Sequence, residues 1–278
     1  MKLKHPLYKA SRLGWDIARE SAASILTYEL YPLGLVSKSL PTLPSLSFRQ
    51  SSPKLPIVFI HGIFHNRSTF AWLKQRLYSK GFRQFKEVNL LTSIHPIPRL
   101  AEQVARETRL LIKKHGTPQV DIVAHSMGGV IARYFVQLLG GDGLVRNLIT
   151  LGTPHRGTEW SKYSIISHIR ELTPQSRTIE LLNRCPAPKF TRAVAVSGDL
   201  DIVIRPKDCT WWEGVRNIHL SHVGHAGLLF SKRVLEIILS HLNNEEMMPS
   251  PSRNQNPKQL FKFKGSKDIK SSDTIIRL

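Results

Sequence analysis

The sequence predicts an α/β protein: a mostly parallel sheet with helices on both faces and a small helical cap. Three observations point there. Runs rich in Val, Ile and Leu recur through the middle of the chain, at 55–60, 88–91, 120–124, 145–151, 191–196 and 215–220. Several have no polar alternation, as strands buried on both faces require. Stretches of helical periodicity separate most of them, and a parallel pair needs such crossovers. Finally, 278 residues at 41% hydrophobic and 22% charged are enough for one large core.

Residues 7–31 read as a helix. Ala10, Leu13, Ile17, Ser21, Ile25 and Tyr28 recur every three or four positions, and Arg12, Asp16, Arg19 and Glu20 fall elsewhere on the wheel. Packing of that apolar stripe on the body is preferred. A second reading lays the stripe in a membrane interface or over an apolar mouth. Tyr31-Pro32-Leu33-Gly34 ends the helix, and a Ser/Pro-rich connector covers 37–56.

Leu55 to Ile60 is the first strand and runs into His61-Gly62-Ile63-Phe64-His65. A helix covers Ser68 to Lys80, and a short strand covers Val88 to Leu91. The next helix runs from Arg99 to His115, stopped by Gly116, with Leu100, Val104, Leu111 and Ile112 inward. Val120 to Ala124 and Val145 to Leu151 are strands. Residues 159–189 lack a strand and hold helical pieces at Tyr163–Leu172 and Ser176–Asn183, as a cap over a site would. Thr191 to Val196 and Val215 to Leu220 are strands, and Ser231 to Leu242 is the last helix. The domain reading is an N-terminal helix and connector over 1–54, a body over 55–243, and a basic, disordered tail over 244–278, rich in Asn, Ser, Pro and Lys.

The net charge of +20 is shared by the N-terminal stretch, the body and the tail, so it favours polyanionic partners. The plain reading is a solvated basic surface; among partners, peripheral contact with an anionic membrane fits better than nucleic acid, for which arginine-rich arms and metal-finger spacing are missing. No run is long and apolar enough for a transmembrane helix. The basic start followed by Trp15-Asp16-Ile17-Ala18-Arg19-Glu20 does not resemble a secretory signal, which favours a cytoplasmic setting. Cys185 and Cys209 could form one bridge if the protein is exported, and otherwise are reduced thiols.

The chemistry centres on Val120-Asp121-Ile122-Val123-Ala124-His125-Ser126-Met127-Gly128-Gly129, a strand, a tight turn and a helix from Val130 to Leu139. Such an elbow pushes a serine hydroxyl out at the top of a sheet. The usual G-x-S-x-G pattern has Ala124 in its first position here. A hydroxyl needs a base, and the base an orienting acid; at such an elbow the acid and then the histidine follow in the chain. Asp201 is preferred to Asp199, with Asp208 third, because Ile202-Val203-Ile204 would bury it. His225, in a glycine-flanked loop, is preferred to His222, and His219 falls within a strand. The amides of Met127 and Ile63 are the expected donors to a developing oxyanion, with Phe64 as fallback. His125 is expected to pack.

Together, His61-Gly62, Ala124 to Gly129 and Leu151-Gly152-Thr153-Pro154-His155-Arg156-Gly157-Thr158 resemble the α/β-hydrolase lipases and esterases, particularly small bacterial triacylglycerol lipases. Asp201-Ile202-Val203, Gly224 to Leu229 and Leu172 to Ser176 resemble that family's acid, histidine and cap motifs. The resemblance covers about 55–243. It implies hydrolysis of carboxylic esters through an acyl-enzyme, with no cofactor or metal. Acyl transfer, or deacylation of a phospholipid or glycolipid, would use the same residues. A non-catalytic membrane-binding module is the reading from another class.

Overall fold

The computed structural model describes residues 6–36, 42 and 54–243, with side chains from residue 14 in the first helix. The expected tail and most of the connector lie outside these residues. Six strands form the sheet among them: β1 (Ile57–Ile60), β2 (Phe85–Val88), β3 (Val120–His125), β4 (Val145–Leu151), β5 (Arg192–Gly198) and β6 (Arg216–Leu220). Their order is β2-β1-β3-β4-β5-β6, and each neighbouring pair is parallel. The chain winds outward to β2, returns past β1 to β3, and then proceeds the other way. The switch between β1 and β3 leaves a crevice at the carboxyl ends of the strands.

Alternation along each strand divides the core in two. Val58, Ile60, Ile122 and Ala124 face α4 (Ile97–His115) and α5 (Met127–Leu138). Ile57, Phe59, Val123 and Ile149 face α3 (Ala71–Ser79) and α7 (Lys232–Asn243). Full burial of each large side chain contributes roughly 1.5–3 kcal/mol. On α4, Leu100, Val104 and Leu111 are buried and Ile112 is half-buried.

The second strand lies three residues earlier than its apolar run suggests. β2 is an edge strand, where polar Lys86 and Glu87 are tolerated. Leu90 sits beyond it in a buried connection. The cap also departs from the periodicity. Glu159–Tyr163 and Ser167–Leu172 are 3-10 turns, followed by α6 (Arg177–Arg184). The Ser164 hydroxyl accepts from the Ile166 amide at 3.1 Å, an alternative to helical bonding.

The N-terminal helix α1 (Pro6–Glu29) is present, but it faces the other way round from its apolar stripe. Asp16, Ala23 and Thr27 are buried, whereas Ile17 is 56%, Ile25 61% and Tyr28 57% exposed. The reason is polar: the body offers donors that the acids of α1 accept. Pro32 does not end helical structure; it sits in the first turn of α2 (Tyr31–Val36), where the missing N–H is harmless. Among the described residues no helix is long and apolar enough to cross a membrane.

Candidate active site

The turn between β3 and α5 sets Ser126 at φ 56°, ψ −131°, a conformation strongly disfavoured for a residue with a Cβ. Neighbours compel it. β3 is fully buried, and the Ser126 amide donates to the Leu151 carbonyl at 2.9 Å. A Cβ at Gly128 would lie 2.4 Å from the Ile60 carbonyl oxygen, and one at Gly129 would lie 1.9 Å from Thr153 Oγ1. The helix can thus start against β1 and the Gly-Thr-Pro segment only with glycine at both positions.

Asp201 lies beyond β5 and is 3% exposed. Its Oδ1 accepts from the amides of Val203 and Ile204, at 2.9 and 2.8 Å. Its Oδ2 is 2.7 Å from His225 Nδ1. The apolar run expected to bury Asp201 does so only in part: Ile204 is buried, but Ile202 is 74% exposed. Gly152 closes over the pair, since a Cβ there would sit 3.1 Å from His225 Nδ1 and 3.3 Å from Asp201 Oδ2. The alternatives have other partners. Asp199 accepts from the His222 amide at 2.6 Å, His222 Nδ1 pairs with Asp16 at 2.7 Å, and His219 Nδ1 pairs with Ser197 at 3.0 Å.

Ser126 and His225 line one cavity of about 280 Å³. Ile63, Phe64, Trp160, Leu172 and Leu229 line it too, and α1 contributes Glu20, Thr27 and Tyr28. No hydrogen bond joins the Ser126 hydroxyl to the His225 ring among the described contacts; such bonds are often long before substrate is bound. Met127 opens α5, so its N–H precedes the first intrahelical bond and sits at the positive end of the helix. Ile63 follows Gly62, where a Cβ would lie 2.8 Å from Ser126 Cβ. Phe64 has φ 55° and is 49% exposed.

These motifs belong together in a known architecture. Bacillus licheniformis lipase BlEst2 in its mature form superposes with a TM-score of 0.58 at 16% identity, covering 73% of this chain and 95% of that one. Aspergillus fumigatus lipase B does so with a TM-score of 0.59 at 15% identity, covering 71% and 54%. The chain has the α/β-hydrolase fold of the lipases and esterases. A family model described as palmitoyl protein thioesterase matches residues 56–185 of this chain. Over 62 residues it is 32% identical to a triacylglycerol lipase of Pseudarthrobacter phenanthrenivorans, 22% of this chain and 19% of that protein. A triacylglycerol lipase of Burkholderia plantarii matches at 32% over 62 residues, 22% and 17% of the two chains. The matched stretch spans about a fifth of the length of these curated relatives.

Three further groups support this site. The buried His61 holds the loop after β1. Its Nε2 accepts from the Leu90 amide at 2.9 Å, so its Nδ1–H donates to the Gly62 carbonyl at 2.8 Å. Burial pulls its pKa down to about 4, which keeps that tautomer neutral. His125 Nε2–H donates to the His225 carbonyl at 3.1 Å, its ring 4.6 Å from that of His225. Burial, then the neighbouring His225, holds its pKa well below the usual imidazole value. Glu20 accepts from the Ala226 and Gly227 amides. His61 and His125 stand inside the motifs read from the sequence, His125 with only a packing role and His61 with none; nothing near Glu20 in sequence signals its contact. Cys185 and Cys209 are both free thiols, and burial pushes Cys209 up to about 12.

The cap is tied to the elbow helix by Arg133. Its guanidinium donates to the His155 carbonyl at 2.9 Å, to Leu182 O at 2.6 Å and to Asn183 Oδ1 at 3.1 Å. One side chain on α5 thereby holds the Gly-Thr-Pro-His segment and α6 in register with Ser126.

Proposed function

We propose that this chain is a serine hydrolase that cleaves lipid-like carboxylic esters through an acyl-enzyme. The observation that carries the reading is the Asp201–His225 pair, 2.7 Å apart, facing the cavity into which a backbone-strained Ser126 opens. Asp201 accepts from His225 Nδ1–H and so leaves Nε2 free to take a proton. Ser126 attacks the ester carbonyl as His225 takes its hydroxyl proton. The amides of Met127 and Ile63 donate to the oxyanion. Collapse expels the alcohol, which takes the proton from His225, and leaves an acyl group on Ser126. Water, deprotonated by His225, then releases the acid and restores the serine.

An acyl chain suits the lining. Tyr28, Phe64, Ile202 and Val203 are large apolar side chains at the cavity and are exposed to solvent. Together with the chain's net charge of +20, this rim supports peripheral contact with an anionic lipid surface. The match to a palmitoyl protein thioesterase model favours a second reading, in which the leaving group is a thiolate and the triad is unchanged. Acyl transfer to an alcohol is a variant of the same cycle.

The test is turnover of p-nitrophenyl esters and a long-chain acyl thioester, with and without anionic vesicles. We expect Ser126→Ala to abolish turnover while the fold persists. Normal turnover in that variant would overturn the proposal. A strong preference for the thioester would move the assignment to the second reading.

A further inference from the structure

The helix α1 is joined to the His225 loop by charge. One carboxylate, Glu20, spans two successive amides immediately after His225: Oε1 accepts from Ala226 at 2.7 Å and Oε2 from Gly227 at 2.9 Å. Those residues begin the short turn Gly227–Leu229, which receives no side-chain cap from its own segment. Glu20 supplies the cap from more than 200 residues away. The sequence makes room for it. A Cβ at Gly224 would lie 2.2 Å from Glu20 Cδ, and one at Gly227 would lie 2.6 Å from Oε2. The two glycines flanking His225 thus admit a carboxylate, beyond freeing the imidazole. One turn earlier on α1, Asp16 holds His222 at 2.7 Å. Glu20 also lines the cavity that holds Ser126 and His225.

We propose that Glu20 is a positioning residue for His225, and that α1 is the element that completes the site. The proposal rests on the reading of His225 as the base for Ser126. The loop has two tethers near that histidine. His125 holds the His225 carbonyl from the sheet, and Glu20 holds the following amides from α1. Without Glu20 the first tether remains, but the amides of 226 and 227 turn to water and the imidazole loses its fixed approach to Ser126. Misplacement on the scale of an ångström costs about 100-fold in rate.

The experiment is a cycle of Glu20→Ala, Gly224→Ala and the double variant, with Glu20→Gln as the isosteric partner. Rates are normalised to active sites titrated with a fluorophosphonate, so that loss of folded protein is not counted. We expect Glu20→Ala to lower kcat for a short p-nitrophenyl ester about 10- to 100-fold with KM little changed. Glu20→Gln keeps one acceptor and should fall between that variant and wild type. Gly224→Ala should lower kcat in wild type and add little in the Glu20→Ala background, because the new methyl acts through the carboxylate. The low-field proton resonance of the His225–Asp201 bond should broaden in Glu20→Ala. Unchanged kcat and an unchanged resonance in Glu20→Ala and Glu20→Gln would overturn the proposal, as would additive effects in the cycle. Ser126→Ala run alongside separates the two levels: if it retains turnover, the underlying reading fails, whatever Glu20 does.

Discussion

Ser126 and His225 face one cavity, yet they are held by different kinds of structure. The serine stands on a fully buried strand and a helix that touches β1 directly, so its support is apolar packing and backbone. The histidine stands on a loop secured by discrete polar contacts: Asp201, His125 and Glu20. The first support is continuous with the core, with contacts that reach Ile60, Leu151 and Thr153. The second is assembled from three separate parts of the chain. The serine side should therefore tolerate no added volume, and the histidine side should respond to single hydrogen-bonding atoms.

The largest expected effects break one arm outright. Ser126→Ala and His225→Ala should each lower kcat for an ester by about 10⁴-fold or more, read by steady-state turnover. Asp201→Asn keeps the acceptor that the Val203 and Ile204 amides use but offers an amide to His225 Nδ1, and should cost about 10⁴-fold. Circular dichroism should show the fold retained in all three.

A smaller effect separates the arms by stability. Ser126→Gly removes the Cβ that makes φ 56° unfavourable, so this inactive variant should unfold at higher denaturant, by roughly 1 kcal/mol. Ser126→Ala should not. His225 has no positive φ, so no such gain is expected at that position.

Acid should weaken the fold. His61 and His65 have pKa values lowered from 6.5 to about 4, chiefly by burial. The unfolded chain therefore binds more protons than the native one between these values. Their contribution is intact above about pH 6.5 and is lost as pH falls toward 4. His125 and His155 shift the same way. Asp121 and Glu171, raised chiefly by burial, oppose the trend at its acidic end. Urea midpoints should fall across that window, and His61→Gln should flatten the fall.

The contrast between the arms also explains what the sequence discloses. Apolar runs of Val and Ile mark the sheet because burial on both faces leaves no alternation. The elbow is legible because strand, serine and glycines fall in one short stretch, although the contacts that demand the glycines come from β1 and Thr153. Asp201 and His225 are legible through chain order and small neighbours. Glu20 is not, because its partners are backbone amides, and the glycines that admit it read equally as freedom for the imidazole. The facing of α1 was misleading for the same reason: its stripe of Ile17, Ile25 and Tyr28 suggests an inner face, but Asp16 and Glu20 find better partners on the body than water offers. The edge strand β2 begins ahead of its apolar run because an edge does not demand apolar residues.

The most direct test is to locate the covalent adduct. The folded chain would be treated with a fluorophosphonate, digested and analysed by mass spectrometry, with and without the Asp201→Asn change. A single adduct on Ser126, formed much more slowly in Asp201→Asn, is the predicted result. No adduct at Ser126, or equal labelling of both proteins, would contradict the account.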